Sequence, residues 1–119
     1  MAMPVTAPTA ATMFDECLHA LGADLVAYLL GAGKSAPVSQ WRMADAWRTG
    51  AGRDRLSAAW AVLHYFKDAP HARSWLREIN SGLGRVSPAA LIRDARSRAD
   101  LDRITDAAEA ASFTETQAR

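Results

Sequence analysis

Cysteine occurs once in the 119 residues and lysine twice. No stretch approaches the ~18 consecutive apolar residues of a membrane span. A lone cysteine cannot close an internal disulfide, and an unpaired thiol fits a reducing compartment, so a cytoplasmic chain is expected. The first residues, Met1–Thr12, lack the basic start and long apolar run of a secretory leader, so none is expected. Runs of alternating β-branched residues bounded by hairpin turns are almost missing, which argues against a sheet. Cysteine pairs and helical His-x3-His spacings are absent, which removes the usual metal-site patterns.

What is present is hydrophobic and Arg-rich. Half of the residues are apolar, enough for one modest core in one domain or two very small ones. Of the 14 basic residues 12 are arginine, in an Ala-rich chain, a bias expected of a GC-rich bacterial genome. The net charge of +1 excludes a uniformly basic nucleic-acid binder, but it conceals a pattern. Met1–Leu30 carries −3, Gly31–Arg55 +3, Leu56–Arg98 +4 and Ala99–Arg119 −3. A basic middle lies between acidic ends.

Helical periodicity recurs along the chain and predicts an all-α fold of about seven short helices. Thr12 is the expected N-cap of the first, with Met13, Cys17 and Leu21 on one stripe and Gly22 ending it. Ala23–Leu30 forms the second, stopped by Gly31-Ala32-Gly33. Ser35 and Pro37 open a third, reaching about Trp47. Gly50-Ala51-Gly52 reads as a flexible joint before a fourth, about Arg53–Lys67, with Leu56, Ala59, Trp60, Leu63 and Phe66 inward. A fifth starts at Ala69-Pro70, with Trp75, Leu76 and Ile79 inward. Asn80–Gly84 is a loop, and Ser87-Pro88 caps a short helix to about Asp94. The last, about Ala99–Phe113, places Leu101, Ile104, Ala108 and Ala111 on one stripe. The expected organisation is a disordered N-terminus (residues 1–11), a helix-turn-helix unit (12–68), a second helical unit (69–113) and a polar tail (114–119).

Two short helices joined through Gly31–Lys34 can set the second in a major groove. Lys34, Ser35, Ser39, Gln40 and Arg42 then lie on the side away from Val38 and Trp41, with Arg48 closing the same basic stretch. Gln can pair with adenine, and Arg with guanine or phosphate. An ordinary helical hairpin has the same pattern. Trp41, Trp60 and Trp75 keep the spacing of core residues, whereas Trp47 fits either an exposed or an interfacial place. Cys17 lies on an apolar stripe and reads as a buried, inert thiol. Gly31-Ala32-Gly33-Lys34-Ser35 ends like a phosphate loop but lacks its spacing and preceding strand, so no nucleotide or other cofactor is expected. No constellation supports an enzyme.

The C-terminal unit resembles the toxin-binding domain of the Xre/MbcA/ParS antitoxin family. The likeness rests on Ala72-Arg73-Ser74-Trp75-Leu76, Ile79-Asn80-Ser81-Gly82-Leu83-Gly84 and Ser87-Pro88-Ala89-Ala90-Leu91-Ile92, in that order, followed by a final helix. Upstream, Val38-Ser39-Gln40-Trp41 is similar to that family's helix-turn-helix, with Gln40 where the family has Arg and Ser81 where it has Pro. The resemblance covers about Leu21–Ala111 and implies a type II antitoxin. Such a protein binds operator DNA for autoregulation and sterically blocks a toxin, often a RES-domain enzyme that consumes NAD. It points to Trp75, Asn80, Leu83, the final helix with Leu101 and Ile104, and Phe113 to Arg119 as toxin contacts. The alternatives are a stand-alone helix-turn-helix regulator and an interaction module that no longer binds DNA. A homo-oligomer or hetero-oligomer is expected in either setting, and no membrane partner.

Overall fold

The computed structural model describes residues 9–30 and 50–117, and the chain there is all-α. Six α-helices are seen: α1 (Ala10–Leu21), α2 (Ala23–Leu29), α3 (Gly50–Tyr65), α4 (Ala69–Arg77), α5 (Pro88–Asp94) and α6 (Arg98–Gln117). A 3-10 turn, Ser81–Leu83, separates α4 from α5. These match six of the seven expected helices. The third, Ser35 to about Trp47, lies outside the described residues, as do Trp41 and Trp47.

Each helix start has a local cause. Thr9, rather than Thr12, caps α1: its hydroxyl accepts from the Thr12 backbone N–H, so the order begins inside the segment expected to be disordered. Gly22, at φ 90°, ends α1 and begins α2 in a conformation that costs a side chain dearly. Asp68 caps α4 by accepting from the His71 N–H at 2.9 Å, with Pro70 in the first turn. Ser87 caps α5 through Ala90 N–H at 3.1 Å, with Pro88 at the first position, as the sequence predicts.

One core joins the elements. Met13, Phe14 and Cys17 of α1 meet Leu56, Ala59 and Val62 of α3, while Ala72 and Leu76 of α4, Ile92 of α5 and Leu101, Ile104 and Ala108 of α6 complete it. Residues on both sides of the expected 68/69 boundary share this core. α3 is its spine, packed on α1 and α6, and α2 lies against α5.

Four further expectations are corrected. Gly50–Gly52 belong to α3 and are not a joint. Val62 replaces Trp60 and Leu63 at the centre of the α3 stripe; those two are half-buried at its edge. Ile79 points outward, 75% exposed, because α4 ends at Arg77 and extended backbone at Glu78 breaks the helical period. The tail is also shorter than expected, since α6 runs to Gln117.

Candidate partner-binding face

The loop after α4 is built around Asn80. Its side-chain Oδ1 accepts from Gly82 N–H at 2.8 Å, and its carbonyl accepts from Leu83 N–H and Arg85 N–H, each at 3.1 Å. Gly84 (φ 87°) and Arg85 (φ 64°) reverse the chain through left-handed conformations, and Asn80 N–H then donates to Val86 O at 3.0 Å. Leu83 is buried under the turn, which packs on α6. The two residues flanking this knot, Ile79 and Val86, are exposed.

α6 has two sharply different faces. Leu101, Ile104 and Ala108 are buried and Ala111 half-buried. On the opposite side Asp102, Asp106, Glu109 and Phe113 follow at spacings of four, three and four, which puts them on one stripe. All four are exposed, Phe113 by 62%. Among the described residues, none of these three carboxylates has a basic side chain within ion-pair distance. The helix thus presents an acidic row, with exposed Arg103 beside it, ending in an exposed aromatic ring. An acidic row can meet a cationic surface, and a terminal aromatic can fill an apolar pocket beside it.

The residues expected at a partner contact separate accordingly. Trp75 is half-buried with its ring against Phe66, centroids 5.5 Å apart. Asn80 is committed to its own loop. Leu83, Leu101 and Ile104 are core residues, so their side chains support the surface without forming it. Phe113 is at the surface, and Arg119 lies outside the described residues, together with the DNA set Lys34, Ser35, Ser39, Gln40, Arg42 and Arg48. Asp102, Asp106 and Glu109 were not singled out by motif; the signal for them was the helical spacing that leads to Phe113.

Comparison with protein-family models, with curated proteins and with solved structures finds no match.

A second polar cluster links α1 to α3. The Trp60 indole N–H donates to Glu16 Oε2, and His64 Nε2 lies 3.4 Å from the same oxygen. The indole hydrogen bond first, and the His64 contact next, hold the Glu16 carboxyl below its usual range. The cluster sits on the surface and reads as a clamp between helices. Burial pushes the Cys17 thiol up to about 12, as expected for an inert core thiol. Among the described residues there is no group of metal-ligating side chains, and no helix is long and apolar enough to cross a membrane.

Proposed function

We propose that this chain is the antitoxin of a type II toxin–antitoxin pair, and that it neutralises a RES-type, NAD-consuming toxin by steric cover. The observation that carries the reading is the outer face of α6: Asp102, Asp106 and Glu109 in a row leading to exposed Phe113. A cleft that accepts a dinucleotide must offer positive charge to its phosphates, and an acidic helix face complements such a cleft. Phe113 is the anchor, and the exposed Ile79–Val86 knot beside α6 is a second apolar contact. The order of the motifs from Ala72 to Ile92 supports the same reading. Autoregulation through Lys34–Arg48, in the basic Gly31–Arg55 stretch, completes the proposal.

Co-expression with the adjacent open reading frame tests it. The neighbour expressed alone should arrest growth, and the two proteins should co-purify. A neighbour that is harmless alone and does not co-purify overturns the reading. A gel shift with the chain's own promoter tests the DNA arm: Gln40→Ala with Arg42→Ala should abolish a shift that falls steeply with salt.

A further inference from the structure

A groove of about 520 Å3 opens between the α1–α2 corner and the α4–α5 pair. Leu21, Leu25 and Ala89 give it an apolar lining, and Arg73 and Arg77, one helical turn apart on α4, give it positive charge. Tyr28 lines it too, with the guanidinium of Arg93 over its ring at 4.8 Å. Asp24 is the one acidic residue in the lining. Among the described residues, neither Arg73 nor Arg77 has a carboxylate within ion-pair distance. The groove therefore combines cations with apolar surface.

The outer face of α6 combines anions with an exposed aromatic. We infer that the groove of one molecule receives the α6 face of a second copy, with Asp106 and Glu109 against Arg73 and Arg77 and Phe113 on the apolar lining. Both halves of the contact occur on every chain, so the association is head-to-tail: each molecule offers one groove and one face. A groove of this size buries less than the ~1,200 Å2 of a standard stable interface, so the association is weak, concentration-dependent and weakened by salt. The inference uses the face that the proposed function assigns to the toxin, yet it is tested without any toxin.

Sedimentation velocity over a concentration series at low salt, with three charge-reversed combinations, decides it. The wild-type chain should sediment faster as concentration rises. Arg73→Glu with Arg77→Glu makes both groove and face acidic, and should stay monomeric at every concentration. Asp106→Arg with Glu109→Arg makes both basic, and should do the same. An equimolar mixture of these two variants restores opposite charges at both contacts and should recover the concentration dependence. A wild-type chain that stays monomeric, variants that associate as the wild type does, or a mixture that fails to recover would each overturn the inference. Circular dichroism of each variant identifies one that has simply not folded, and single reversals at Arg77 and Glu109 then replace the doubles. Co-purification of the groove variant with the toxin separates the two ideas, because that variant keeps its α6 face.

Discussion

Two side chains report on the packing of α1 against α3. Glu16 has its pKa lowered from 4.5 by the Trp60 and His64 contacts. A carboxylate whose folded pKa lies below its unfolded one contributes stability that is present above the unfolded value and is lost as pH falls through the folded one. Glu16→Gln removes that contribution. Denaturant midpoints for wild type and variant should differ at neutral pH, and the gap should begin to narrow as the pH drops below about 4.5 and close as it falls through the lowered folded value. A gap that persists unchanged into stronger acid would show that the charge is not what the clamp uses. Cys17, fully buried with a thiol pushed up to about 12, reports on the interior. Thiol reagent should label it only through opening of the fold, at a rate that rises with added denaturant. Cys17→Ser places an unpaired hydroxyl among Phe14, Val62 and their neighbours, and should cost about 1–3 kcal/mol in equilibrium unfolding.

At the scale of elements, α6 holds a sharp contrast between structural and recognition residues. Ile104 is fully buried, and Ile104→Ala should lower stability by about 2–5 kcal/mol in denaturant unfolding. Phe113 is 62% exposed, so Phe113→Ala should leave stability within about 0.5 kcal/mol of wild type. It should nevertheless weaken toxin capture in a pull-down titration by about 2 kcal/mol, or roughly 30-fold. Equal losses of stability for the two would mean that Phe113 packs inward. Helix starts and stops were legible in the sequence wherever a single residue imposes them: Gly22, Asp68, Pro70, Ser87 and Pro88. The inward stripe of α6 was legible for the same reason, since it keeps one period over about three turns. The stripe of α3 was harder to read, because Ala58, Ala59 and Ala61 are apolar on more than one side and periodicity does not say which neighbour arrives. Ile79 was misread because its helix stops at Arg77, and the extended backbone at Glu78 breaks the period. A motif tells which residues recur, not whether they are surface. Leu83, Leu101 and Asn80 shape the face from beneath or within it, and exposure could be assigned only from the packing.

At the scale of the whole molecule, a net charge of +1 conceals a cationic groove and an anionic helix face that lie on different elements. If the face serves both the proposed toxin and a second copy, the two partners exclude each other, and the free chain is partly masked by itself. Mass action then fixes the size of the effect: a competitor at concentration C lowers apparent affinity by the factor 1 + C/K, where K is its own dissociation constant for the face. The Asp106→Arg, Glu109→Arg variant is the required competitor, because it keeps a basic groove for the wild-type face while its own reversed face cannot hold a cationic toxin. Added to the wild-type chain and its proposed toxin in labelled form, it should weaken their binding about twofold at a concentration equal to K and about tenfold at nine times that. A variant with Arg73→Glu and Arg77→Glu added to those changes has an acidic groove, and should not compete. Fluorescence anisotropy of the toxin reads both titrations. If charge reversal restores association by sedimentation but the competitor leaves toxin binding untouched, self-association and toxin capture use different faces of the molecule. If the competitor acts and its groove-reversed control does not, the same acidic helix face is what each copy of the chain must release before it can meet the proposed toxin.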